Sequence, residues 1–189
     1  LAVLAVVLAA VLVAGFFYFD VPSWQSLDTQ RLLSLAQTGS IYDKDGSFVT
    51  HLVGSENRTL VALEELPQHV VDAFLAAEDL RFYKHPGFDI VRIGGAVISN
   101  LRSGGYAQGA STITQQLAKQ LYSETAKSTM QRALQKPIEW VIAVKLERNY
   151  TKEEIIALYL NYFDFLHNAV GIKTAANTYF NKEPRDLNI

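Results

Sequence analysis

The sequence predicts a mainly α-helical domain with a small β-hairpin, preceded by one transmembrane helix. Three observations carry that expectation. The first 19 residues, LAVLAVVLAAVLVAGFFYF, contain no charged side chain. Apolar residues from Pro67 onward recur at helical spacing, as in Val70, Val71, Phe74 and Leu75. Between these regions, two short β-prone runs from Ile41 to Val49 flank the turn signal Asp45-Gly46.

Residues 1–19 would form a helix about 28 Å long, close to the hydrocarbon thickness of a bilayer. Phe16, Phe17, Tyr18 and Phe19 then fall where an interfacial aromatic belt sits. A cleaved signal peptide is the competing reading, but its apolar core is usually about 7–15 residues. Orientation is not readable, because no flanking basic loop precedes Leu1. Residues 20–39 read as a juxtamembrane connector and 40–189 as the domain. With 189 residues, 49% of them hydrophobic, a sizeable core remains after the anchor is set aside. The net charge of -2 gives no reason to expect a nucleic-acid partner. The absence of cysteine excludes disulfides and thiolate metal sites. The chain opens on Leu1 rather than methionine and stops after Asp186-Leu187-Asn188-Ile189 without a closing helix pattern. It therefore reads as a piece of a longer protein, with the domain incomplete at its C-terminal end.

After the hairpin, Thr59-Leu60-Val61 is a candidate third strand. In the helix that follows Pro67, Glu78 continues the stripe of Val70 and Phe74, four residues apart each time. A carboxylate held on such a face is partly desolvated, a setting that suits a general base. The plainer reading is a salt-bridged glutamate at a helix end. Between Asp89 and Gly109 lies a short basic, glycine-containing segment.

Ser111 to Lys119 looks like a helix start. Thr112 and Gln115 have capping-box spacing, and Gly109 allows close approach in front. Free amides at such an end favour a phosphate, and Gln115 and Lys119 share a face. An ordinary capped helix is the plainer reading. Lys127 to Tyr150 is a long helical region interrupted at Pro137, which either starts a helix or kinks one. In the first case Glu139 lies in a first turn, where the dipole favours negative charge. Glu78 and Glu139 would then sit in unlike environments, the usual arrangement for different catalytic roles. Glu147 and Arg148 read as a solvated or structural pair. Thr151-Lys152-Glu153-Glu154 is a capping box opening a helix through Leu160. An aromatic-rich loop follows from Asn161 to Val170, then a short helix from Gly171 to Tyr179.

Taken together, these residues resemble the peptidoglycan glycosyltransferase domain, glycosyltransferase family 51, found in class A penicillin-binding proteins and monofunctional transglycosylases. A first motif, E-D-x-x-F-x-x-H-x-G, is matched by Glu78, Asp79, Phe82, His85 and Gly87. A second, G-x-S-T-I-T-Q-Q-L-x-K, runs without a gap from Gly109 to Lys119. A third, R-K-x-x-E, is partly kept as Gln135, Lys136 and Glu139, and a fourth appears as Lys152 to Asn161. Four ordered motifs are more specific than any one alone.

The resemblance implies a lysozyme-like fold and an inverting transfer that joins lipid II units into glycan strands. Glu78 would be the base taking the proton of the acceptor sugar 4-hydroxyl. Lys119, with Ser111, Gln115 and Gln116, would surround the departing undecaprenyl pyrophosphate. Glu139 would be the second carboxylate near that leaving group, acting through a divalent cation (Mg or Mn) or an organised water. Asp79, Phe82, His85 and Lys136 would belong to the substrate-binding set. The resemblance also implies the bacterial cytoplasmic membrane as location, single-pass, with the domain on the extracytoplasmic side. Lipid II, the growing strand, the membrane and divisome or elongation proteins would be the partners.

The departures are specific. The arginine opening the third motif is Gln135, and Arg132 or Lys127 are candidates for the missing cation. A few extra residues separate Lys119 from Glu139. Arg92 is the nearest match to an arginine expected after Asp89. The loop after Asn161 lacks the family's usual glycines, and a fifth motif is expected beyond Ile189. Two other readings stay open: a lysozyme-like glycan-cleaving enzyme, and an inactive membrane-anchored module that binds precursors or partners.

Overall fold

The computed structural model describes residues 39–52, 59–104, 109–122 and 128–188. The expected anchor, residues 1–19, and residues 20–38 of the connector lie outside them. Among the described residues, no helix is long and apolar enough to cross a membrane.

The architecture is mainly helical, as the periodicity predicts. The expected hairpin forms from β1 (Gly39–Tyr42) and β2 (Phe48–Leu52), antiparallel, with a register irregularity between Ile41 and Tyr42. Its turn is longer than two residues. The Asp43 carboxylate accepts the amides of Asp45 at 2.9 Å and Ser47 at 2.8 Å, and Gly46 takes a positive φ of 80°. Thr59-Leu60-Val61 does not form the third strand. Val61 nevertheless satisfies both backbone groups: its N–H donates to Asn161 Oδ1 and its carbonyl accepts from Asn161 Nδ2, each at 2.9 Å. One side-chain amide thus takes the place of a neighbouring strand.

Among the described residues, six α-helices follow: α1 (Gln68–Glu78), α2 (Ile90–Ser103), α3 (Ile113–Tyr122), α4 (Thr129–Asn149), α5 (Lys152–Tyr162) and α6 (Ile172–Phe180). The α3 helix is the centre, packed against α4 and α5. Ile113 and Leu117 of α3, Leu146 of α4, and Ile155, Ile156 and Leu160 of α5 are wholly buried. The expected capping boxes are present at both predicted starts. Thr112 and Gln115 exchange bonds of 3.2 Å, and Thr151 and Glu154 bonds of 2.7 and 3.2 Å.

Two expectations change. The segment after Asp89 is a full helix, α2. Asp89 caps it by accepting the amides of Val91 at 2.9 Å and Arg92 at 3.1 Å, and Gly104 closes it at φ 66°. Of the two readings of Pro137, the helix start fails, because the residue lies inside α4. Glu139 is therefore mid-helix, where the terminal dipole argument does not reach.

Gly87 shows why the first motif ends on glycine. Its φ is 93°, and an added Cβ would meet the Ala143 backbone at 3.0 Å. The turn between α1 and α2 lies directly on α4, so a side chain there has neither the conformation nor the room.

Candidate active site

Glu78 is the last residue of α1 and half-buried. Its carboxylate accepts a 2.8 Å hydrogen bond from Gln116 Nε2 of α3. The Arg92 guanidinium donates to the Glu78 backbone carbonyl, which puts a cation at the negative end of α1. Glu78 lines a hollow of about 360 Å³ with Leu80, Arg81, Asp89, Val91 and Arg92.

Next to it, Asp79 is only 1% exposed. Its carboxylate accepts from His85 Nε2 at 3.0 Å and from the Ile113 amide at 3.1 Å. The expectation of free amides at the α3 tip is thereby corrected. Ile113 N–H is held by Asp79, Thr112 N–H by Gln115 Oε1, and Gln115 N–H by the Thr112 hydroxyl. The positive end of α3 already has an anion, and it is the protein's own. Asp79 and His85 thus lock the first motif onto the second. Phe82 is likewise buried, with Lys152 Nζ 4.3 Å above its ring.

A second hollow, of about 220 Å³, opens at the α3 start, against Ile93 and Val97 of α2 and Trp140 of α4. Ser111, Gln115 and Lys136 supply its polar wall. Lys136 Nζ donates to Ser111 Oγ at 3.2 Å and pairs with Glu139 Oε2 at 3.0 Å. Gln115 Nε2 is buried without a hydrogen-bond partner, an unmet donor that such a site rarely leaves unused. Glu139 is 0% exposed, and the Lys136 ammonium, at i,i+3 on the same helix, offsets its charge. The surroundings do not fit the expected divalent cation. Lysine already occupies the Glu139 carboxylate, and among the described residues no group of three or more acidic or histidine side chains could hold a metal ion.

The structure thus brings Glu78 and Gln116 together, and separately Ser111, Gln115, Lys136 and Glu139. Adjacent residues of α3, Gln115 and Gln116, serve the two groups. Lys119 is exposed one turn farther along α3. Lys127 lies outside the described residues. Arg132 lies within α4, but its side chain is not among those described. Glu147 pairs with Lys152 at 2.8 Å rather than forming the expected unit with Arg148. Lys152 also donates to the His85 carbonyl at 2.8 Å, and Thr114 Oγ1 donates to Glu147 at 2.5 Å. Sequence reading did not single out Tyr159, whose hydroxyl donates to Gln116 Oε1 at 3.3 Å. The apolar stripe of α5 hid it.

A family model described as Transglycosylase matches residues 45–189. The chain belongs to the transglycosylase family. Its relatives include penicillin-binding protein 1F of Bacillus subtilis, 41% identical over 86% of this chain and 22% of the relative. Penicillin-binding protein 1A/1B of the same organism is 44% identical over 82% of this chain and 16% of its own length. Penicillin-binding protein 1A of Streptococcus oralis is 37% identical over 98% of this chain and 29% of the relative. The chain spans less than a third of the length of these relatives. In transglycosylase terms, the first two motifs are held together by Asp79 and His85, while the third is an ion pair on one face of α4.

Proposed function

We propose that this transglycosylase domain polymerises lipid II into glycan strands and releases undecaprenyl pyrophosphate, at the extracytoplasmic face of a cytoplasmic membrane to which residues 1–19 anchor it. The observation that carries this reading is a pair of unlike hollows flanking α2, each tied to α3 by a glutamine: Gln116 bonds Glu78 of the first, and Gln115 lines the second. One presents the Glu78 carboxylate, and the other presents the Lys136 ammonium and the unmet Gln115 amide. Glu78 takes the proton of the acceptor sugar 4-hydroxyl. That oxygen forms a bond to the anomeric carbon of the growing strand with inversion. The bond from that carbon to the pyrophosphate oxygen breaks, and the pyrophosphate departs with the electron pair. Lys136, Ser111 and Gln115 face the developing negative charge, and Lys119, exposed one turn farther along α3, adds positive charge outside that hollow. Stabilising that charge supplies much of the rate. Lys136 provides positive charge beside Glu139, where the resemblance implied a divalent cation or an organised water.

The outer face of α2 supports a lipid-linked substrate. Ile90, Val97 and Leu101 share a stripe with Gly94, and Leu101 is 78% exposed.

The test supplies the full chain, in detergent, with lipid II and separately with finished glycan. Consumption of lipid II with polymer and released pyrophosphate is the expected result. Cleavage of finished glycan with lipid II untouched would reject the reading in favour of a glycan-cleaving enzyme. Binding of lipid II without turnover would reject it in favour of an inactive module.

A further inference from the structure

We propose that Tyr159 is a positioning residue whose hydroxyl fixes the orientation of the Gln116 side-chain amide, and through it the Glu78 carboxylate. The inference rests on the reading of Glu78 as the base. Three side chains from three helices form one line. Tyr159 of α5 donates to Gln116 Oε1 at 3.3 Å, and Gln116 Nε2 of α3 donates to Glu78 Oε2 at 2.8 Å at the end of α1.

The chemistry of the ends decides the middle. An ionised carboxylate only accepts, so Gln116 must turn its nitrogen toward Glu78. Its oxygen then faces Tyr159, which must donate. Burial first, and the nearby Glu78 charge second, hold the Tyr159 phenol well above its ordinary range, so it keeps its proton. The reversed amide would set oxygen against carboxylate, so the Glu78 end selects the orientation, and the Tyr159 hydroxyl, donating to the oxygen so presented, holds it there.

Packing does not need the hydroxyl. The Tyr159 ring is fully buried and lies 5.2 Å, centroid to centroid, from Phe163. Phenylalanine would fill the same volume, so Tyr159→Phe removes the donor and little else. Without it the amide is free to rotate, and the carboxylate loses a fixed donor at the moment it must face the acceptor hydroxyl.

The experiment measures two things on the full chain in detergent. Steady-state kinetics with lipid II should show kcat about 3- to 10-fold lower in Tyr159→Phe, the range for one hydrogen bond, with KM unchanged. In a Gln116→Ala background the same substitution should cause no further fall in kcat. In ¹⁵N-labelled protein the Gln116 side-chain amide protons should be protected in the wild type and exchange freely in Tyr159→Phe. Wild-type kcat, an equal fold-loss in the Gln116→Ala background, or unchanged amide exchange would each overturn the inference. A lower melting temperature with unchanged exchange would assign Tyr159 to packing alone and overturn it too. If the wild type fails to turn over lipid II, the proposed function falls, and the amide exchange still decides whether Tyr159 orients Gln116.

Discussion

Asp89 shows how much one buried side chain can organise. It caps α2, and its second oxygen pairs with Arg81 Nε at 2.8 Å. Burial pushes its carboxyl up. The Arg92 amide, the Arg81 guanidinium, the Val91 amide and His85 more than offset that, and hold it below the ordinary value of 3.8. A carboxyl lowered by folding stabilises the fold fully above its unfolded value, and that contribution is lost as pH falls through the folded value. Acid below about pH 3.8 should therefore weaken the α1–α2 turn. Asp89→Asn keeps a capping oxygen but loses the charge paired with Arg81, so it should cost up to about 1 kcal/mol near neutrality, and should flatten the acid dependence. Thermal melts of both proteins at neutral and acidic pH measure this. An identical pH dependence in the two would remove Asp89 from the account. The same economy marks Asn161, whose one amide completes the backbone of Val61 from across the core.

At the scale of elements, glycine position separates what sequence shows from what it conceals. The segment after Asp89 read only as short, basic and glycine-containing, yet Gly94 and Gly95 both lie in α2 with open space where a Cβ would go. The legible signal was in the flanks: an Asp cap before, an αL glycine after, and apolar residues at helical spacing between. Gly87 is the opposite case, held at positive φ against the backbone of α4. Gly95→Ala should stabilise by about 0.5–1 kcal/mol, whereas Gly87→Ala should destabilise by roughly 1–3 kcal/mol. Chemical denaturation compares the pair, and equal effects would contradict the α2 assignment. Apolar spacing made α1 legible, and capping boxes made the starts of α3 and α5 legible. Pro137 was not, because proline's local preference for a helix start yields here to the packing of a continuous α4. The third strand failed for a reason no pattern near Leu60 carries: its pairing partner is a side chain 100 residues away.

Across the whole molecule, the motifs were legible as a set, and the structure adds how they hold one another. Asp79, Phe82 and His85 read as substrate contacts, and the structure buries all three as the joint between α1, α3 and the intervening turn. That joint is what presents Glu78 outward, supported by Gln116 and backed by Arg92. The α3 tip read as a phosphate cradle because its amides looked free, and long-range contacts with Asp79 fill it instead. On the proposed reading, anion handling then falls to side chains, Lys136 and Gln115 foremost. The most direct measurement is single-turnover lipid II polymerisation by the full chain carrying Glu78→Gln, beside the wild type at equal folded fraction. Loss of roughly 10²- to 10⁴-fold in rate, the usual worth of a general base, with an unchanged melting curve is the expected result. A rate within a few-fold of wild type would contradict the assignment of Glu78 as the base.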